Sequence, residues 1–410
     1  MSINYSHSII KTLGFFSVKD TRLFADSVKS KGFVTYKDSE ETIAFLNKSY
    51  HSEYIKLMFN NNPENFGVEK LHKELKMNII ISRLNLNVAV SNIRLYLFND
   101  AFKDEQTCIF AVDYSLDSSS LTDFSNALNS LKNPDSLITL EGKEISIGDL
   151  IEKHVLYKSF INDDSPVGQY AGYKFKHYAI LDFDKEELGR ENLLFELGTD
   201  SKIGSISEKD IDSPSEVYKA KVLENKISCF NNYDCLTLLD SFTVVGSKNY
   251  DSSNSYNHNS WDNIYFSLYV FNLYVKASLQ TISNEFSDDS VKKRKEFKSF
   301  YNKYFFIKVS FNFLPNEIYK GIFNALEIEE DLEFIQDRLE TLAVQMNEKQ
   351  QKQIGLILLV ISVIALLETP LHIEGIRKII GIDALVIYNS TVYFLLVFSV
   401  IVFLYKNLKK

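Results

Sequence analysis

The most constraining stretch of this 410-residue chain is Ile354–Leu367, IGLILLVISVIALL, fourteen consecutive residues without a charge. As a helix it covers about 21 Å, short of the roughly 30 Å of a bilayer core. A second run, Ala384–Tyr405, reads ALVIYNSTVYFLLVFSVIVFLY and has twenty-two uncharged residues. That is about 33 Å of helix, enough to span. Two such segments around a polar loop predict a transmembrane hairpin. Lys349 and Lys352 precede the first run and Lys406, Lys409 and Lys410 follow the second, whereas the loop holds only Arg377 and Lys378. This bias predicts both termini on the cytoplasmic side. The N-terminal MSINYSHSIIKTLGFF has neither the long apolar core nor the cleavage site of a leader.

Upstream, Asn316 to Gln353 reads as one long helix, with Pro315 near its start. Leu332, Ile335, Leu339, Leu342 and Met346 form a seam at spacings of three and four. Continuing that period through the first apolar run gives Gln350, Gln353, Ile357, Val360, Ile364 and Glu368. If like helices gather around an axis, this face predicts a polar vestibule, a dry constriction and an acidic mouth that favours cations. Gly355, Ser362 and Thr369 mark a competing small-residue face. Glu368, His372 and Glu374 could meet a cation just beyond the run.

Residues 1 to about 245 alternate strand-like and helix-like patches. Ile93, Leu95 and Leu97 alternate with Asn92, Arg94 and Tyr96, and Cys108, Phe110, Val112 and Tyr114 alternate likewise. Ser136 to Ile147 predicts a hairpin around Glu141-Gly-Lys143, Val217 to Leu223 and Leu236 to Val245 predict strands, and Asp38-Ser-Glu-Glu41 predicts a capped helix through Met58. The polar SKNYDSSNSYNHNS of 247–260 separates this domain from helical patterns at Trp261–Phe286 and Val291–Phe306.

A net charge of −9 argues against nucleic acid as a partner. Three cysteines, Cys108, Cys229 and Cys235, make no disulfide framework and read as buried small hydrophobes. No Walker loop, dinucleotide fingerprint, HExxH or GxSxG occurs, and the seven histidines are scattered; the expectation is a non-enzyme without catalytic residues. The best ligand loop is Glu196–Ser205, ELGTDSKIGS. Its Gly198 and Gly204 would let the backbone approach a ligand, and Thr199, Ser201, Lys202 and Ser205 could bind phosphate.

The predicted fold is therefore an α+β cytoplasmic domain followed by a helical stalk and a C-terminal two-helix transmembrane hairpin. Its parts are a sensor domain at 1–246, a polar loop at 247–260, a helical region and stalk at 261–353, a first span at 354–368, an outer loop at 369–383, a second span at 384–405 and a basic tail at 406–410. This order of parts resembles the CorA family of magnesium channels. The family's Gly-Met-Asn motif is absent, and Glu368-Thr-Pro370 stands in its region. The chain is thus similar to the motif-less subgroup that accompanies type III CRISPR systems. The resemblance implies a homopentamer in the lipid of a bacterial inner membrane, opened to ions by a nucleotide second messenger of the S-adenosylmethionine–AMP type and acting in antiviral defence. No cofactor is expected beyond that gating ligand and a divalent cation. The alternatives are a magnesium transporter with an altered filter and a non-conducting membrane-anchored sensor.

Overall fold

A computed structural model describes residues 5–18, 20–60, 67–99, 106–154, 174–183, 189–206, 213–247, 260–284 and 290–372. A large mixed sheet organises the chain. Its strands are β1 (His7–Val18), β2 (Val34–Thr35), β3 (Gly67–Ile81), β4 (Leu86–Asn99), β5 (Gln106–Leu116), β6 (Leu137–Leu140), β7 (Lys143–Ser146), β8 (Lys176–Phe183), β9 (Lys226–Phe230), β10 (Tyr233–Leu238) and β11 (Ser241–Ser247). The order is β7-β6-β3-β4-β5-β1-β8-β11-β10-β9, with β2 paired to β3. The β8–β11 pair is parallel, and the other pairings among the described residues are antiparallel.

Alternation along these strands gives the sheet two different faces. On the back, Ile10, Leu71, Ile93, Leu95, Phe110 and Val112 are buried in one core with helices α1 (Thr21–Ser30), α4 (Leu121–Leu131), α5 (Ile147–His154) and α6 (Arg190–Gly198). Phe24 of α1 meets Phe16 edge-on at 5.4 Å, and Phe124 of α4 meets Tyr5 at 5.5 Å. Caps start these helices: the Asp20 carboxylate accepts from the backbone N–H of Arg22 and Leu23, and the Ser120 hydroxyl accepts from Asp123.

The front face is aromatic and charged. A one-turn π-helix (Ser260–Tyr265) leads directly into α8 (Phe266–Asn284), which lies across it. Tyr274 of α8 stacks on Phe98 at 3.7 Å, and Phe266 meets Tyr178 at 5.0 Å. Helices α9 (Ser290–Tyr304), α10 (Phe313–Ala325) and α11 (Ile328–His372) follow, while α2 (Glu40–Ser49), α3 (Ser52–Met58) and α7 (Glu216–Leu223) complete the described set. One compact unit runs Met1–Ile335 and a second Gln336–Lys410, so the boundary falls within α11. The first unit includes helices that the sequence pattern placed in a separate region.

Several expectations are corrected. Most important, the transmembrane fold and the multi-pass membrane placement are not supported: among the described residues, no helix is long and apolar enough to cross a membrane. The reason is local. Helix α11 has 45 residues, but its charge-free run, Ile354–Leu367, covers only about 21 Å of the roughly 30 Å of a bilayer core. The helix also does not stop at Glu368; it continues through Pro370 to His372. The expected second span at 384–405 lies outside the described residues. The long helix expected from Asn316 is broken at Glu327, whose φ of 53° is left-handed. Its carbonyl accepts from Lys276 Nζ at 3.2 Å, and the same ammonium pairs with Asp331 at 2.8 Å. Val217–Leu223 is helix rather than strand, because Ser215 caps it at the Tyr218 N–H. Leu236–Val245 is two strands joined by a turn, and the helix expected through Met58 breaks at Tyr50, which bridges to Ser310. The Glu141-Gly142 turn is as expected, with φ of 51° and 78°, the backbone that favours such hairpins.

Lys276→Ala should lower the unfolding free energy by about 1–3 kcal/mol, because it leaves the Asp331 carboxylate without its ammonium and the Glu327 carbonyl with only the Asp331 N–H, at 3.3 Å. Chemical denaturation followed by circular dichroism checks this.

Candidate functional site

Each of four neighbouring central strands carries charge into its apolar pattern on the front face. Register shows that these residues share that face: Lys11 of β1 stands opposite Asp113 of β5, Asp113 opposite Asn92 of β4, Arg94 opposite His72 of β3, and Lys70 of β3 opposite Tyr96. Two bulges set the arrangement. Ser91 is an extra residue between the pairs Val90↔Tyr114 and Asn92↔Asp113, and the β3–β4 register slips between Glu74 and Met77. The Ser91 bulge switches the parity of β4. Val88 and Val90 face the back core before it; Ile93, Leu95 and Leu97 do so after it. That switch puts Asn92 and Arg94 on the front. Bulges are frequent beside functional sites because they re-aim side chains.

The result is a cleft of about 740 Å³. Its rim includes Ser8, His72, Glu74, Lys76, Asn78 and Ser91, and its floor holds Lys11, Arg94, Asp113 and Asp262. Asp113 accepts from Lys11 Nζ at 2.9 Å and from Arg94 Nε at 3.0 Å, with Arg94 Nη2 at 2.9 Å. Asp262 comes from the π-helix. It lies 2.7 Å from Lys11 Nζ but 3.9 Å from Arg94. The Phe266 ring closes over both cations, 5.0 Å from Lys11 and 5.8 Å from Arg94.

The electrostatics follow from burial and pairing. Burial opposes the Arg94 charge, but Asp113, Tyr96 and Asp262 outweigh it and raise the guanidinium pKa. Burial would push the Asp262 carboxyl up, yet Lys11 and Arg94 together hold it below the ordinary carboxylate range. The Asn92 Oδ1 is buried with no hydrogen-bond donor. The floor therefore balances two cations against two carboxylates, and Asn92, which also lines the cleft, keeps a buried acceptor without a donor. A larger hollow of about 810 Å³ is lined by Arg83, Asn126, Asn129 and Glu144 at the sheet edge, where its charged groups are exposed.

The loop expected to bind phosphate is folded on itself. Gly198 ends α6, and a Cβ there would meet Leu236 Cδ2 at 2.7 Å, so the glycine serves packing. The Thr199 hydroxyl donates to the Phe195 carbonyl at 2.8 Å and is 2.8 Å from the Ser201 hydroxyl. The buried Glu196 carboxylate accepts from the Ile206 N–H at 3.2 Å and the Ser205 hydroxyl at 3.4 Å. Lys202 is exposed, and Gly204, at φ 85°, makes the turn. None of the six lines the front cleft. On α11, Gln350, Gln353, Ile357 and Val360 are exposed, while the side chains of Ile364 and Glu368, like residue Glu374, lie outside the described set. With no described helix able to span a membrane, the pore that would give these residues a role lacks support. Among the described residues, no histidine, cysteine or acidic groups gather as a metal site.

Lys11, Arg94, Asp113 and Asp262 were missed by motif reading. The signal for the first three was one charge inside each apolar strand, SIIKTLGFF, NIRLYLF and IFAVDYSL; Asp262, on the π-helix, had none. Charged residues are almost never buried unless paired, so these charges had to find one another.

A second buried cluster lies on the back face. Lys132 pairs with Asp200 and, at 2.8 Å, with Asp240; His177 Nδ1 is 3.6 Å from Asp200, and its Nε2 is 3.4 Å from the Thr243 hydroxyl. The row Thr243–His177–Asp200 has the order of a nucleophile, base and acid, but Thr243 and His177 are both fully buried. No family model matches the chain, and neither a curated protein nor a solved structure shows significant similarity to it.

Burial, reinforced by Lys132 and Lys176 against the opposing pull of Asp240, lowers His177 to about 3. Its lowered folded value means that the unfolded chain binds the extra proton. Stability is then complete above pH 6.5 and falls as the pH drops toward 3. His177→Gln should remove up to about 1.4 kcal/mol per pH unit of that slope, measured as the difference between the two proteins' denaturation curves at pH 7 and pH 5.

Proposed function

We propose that this chain is a sensor that binds a small anionic ligand in the front cleft, and that binding rather than catalysis is its activity. The observation that carries this reading is the floor of the cleft. Lys11 and Arg94 together outnumber Asp113 on the sheet, and both are held rigid by strand backbone and by Asp113. A guanidinium beside an ammonium suits a phosphate, which takes bidentate hydrogen bonds from the first and a point charge from the second. The cleft's volume of about 740 Å³ favours a ligand larger than inorganic phosphate. A nucleotide meets this requirement, and adenylates are the first compounds to try.

Calorimetric titration with a panel of adenylate messengers tests the reading. The expected result is binding that weakens as salt rises. The paired substitution Arg94→Gln with Asp113→Asn, which leaves no charge stranded, should reduce affinity at least tenfold, or about 1.4 kcal/mol. Unchanged affinity in that folded pair would remove the cleft from the function.

A further inference from the structure

We propose that the Asp262 carboxylate occupies the place of the ligand's own oxyanion, and that a phosphate-bearing ligand binds by replacing it on Lys11 and Arg94. This rests on the reading of the cleft as an anion site. The charge count comes first. Two cations and one carboxylate stand on the strands, leaving one positive charge that Asp262 neutralises from outside the sheet.

The second argument is the quality of each contact. Asp113 is gripped at 2.9 Å by Lys11 and at 3.0 and 2.9 Å by Arg94. Asp262 approaches Lys11 closely, at 2.7 Å, yet its Oδ1 forms no aligned hydrogen bond, and its 3.9 Å separation from Arg94 is too long for one. Its side chain is also the most exposed of the four, at 30% against 2% for Lys11, 16% for Arg94 and 12% for Asp113. An incoming anion reaches the buried Lys11 ammonium only if a covering group moves, and Asp262 is the loosest of the groups around it.

The third argument is the backbone that carries Asp262. It sits in a single π-helical turn, a rare geometry concentrated at functional sites. That turn continues without a break into α8, whose first residue, Phe266, covers both cations. Further along α8, Lys276 holds the Glu327 carbonyl and Asp331 at the start of α11. Displacing Asp262 would release the charged tie between the π turn and β1, leaving the Tyr178 hydroxyl on the Trp261 carbonyl at 2.6 Å, while the strands stay in place. The ligand favours that state because its oxyanion, with more acceptors than a carboxylate, makes the aligned bonds that Asp262 lacks.

The experiment is calorimetric titration of wild type, Asp262→Asn, Asp262→Glu and the Arg94→Gln/Asp113→Asn pair with inorganic pyrophosphate and with AMP at low salt. Asp262→Asn removes the internal competitor and should bind at least tenfold tighter than wild type. Asp262→Glu should bind no tighter. Amide hydrogen exchange across 260–284 should rise on ligand addition in wild type and be raised beforehand in Asp262→Asn. Equal or weaker binding by Asp262→Asn, with binding still lost in the Arg94/Asp113 pair, would overturn the displacement and leave the cleft standing. No binding of either probe to wild type or Asp262→Asn, or binding unaltered in the pair, would overturn both.

Discussion

Lys11 lies in the middle of a buried strand, and much of the front face is arranged around that fact. An isolated ammonium in such a place costs several kcal/mol. Asp113 meets it from the next strand and Asp262 from the helical layer. Arg94 then shares Asp113, and Phe266 covers both cations. Removing one member leaves a buried charge without a counterpart, which is why the group behaves as a unit. The same linkage ties the sheet to α8 through the π turn, so the charges position the helix as well as one another.

A second polar system repeats the logic on the other face. Lys132, Asp200, Asp240 and His177 lie where α4, the end of α6, the start of β8 and the β10–β11 turn converge. Burial depresses Lys176 beside it to about 8, with Lys132 and Lys276 adding to the effect against Asp240. The polar residues of 198–205 are spent on this junction and on ending α6. A glycine-rich polar loop can serve a ligand or the backbone; at Gly198 the close approach is to Leu236.

Local order was legible in the sequence where a local cause sets it. The Glu141-Gly142 turn, the alternation of Ile93, Leu95 and Leu97, and the helix beginning near Trp261 rest on turn chemistry and periodicity. The failures share a different origin. The Val217–Leu223 pattern suits either element, and the Ser215 cap decides it. The helix from Asn316 has no breaker, and the left-handed Glu327 is held by its N–H on the Asn324 carbonyl and by Lys276 on its own carbonyl. Hydropathy over Ile354–Leu367 registered apolar character but could not convert fourteen residues into a spanning helix, and the resemblance to two-span channels had rested on that step.

The sequence by itself determined which segments would be amphipathic, where the β6–β7 turn would fall, and that a few charges would interrupt otherwise apolar strands. Tertiary structure decided which charges would meet. Lys11 and Asp113 lie 102 positions apart, and Asp262 is farther still, so their proximity depends on strand order. Their common face depends on the Ser91 bulge, a one-residue slip whose cause lies in the pairing of β4 with its neighbours. Local propensity acts over a few residues, whereas the pairing of buried charges is settled only when the sheet closes and desolvation makes every unpaired alternative costly.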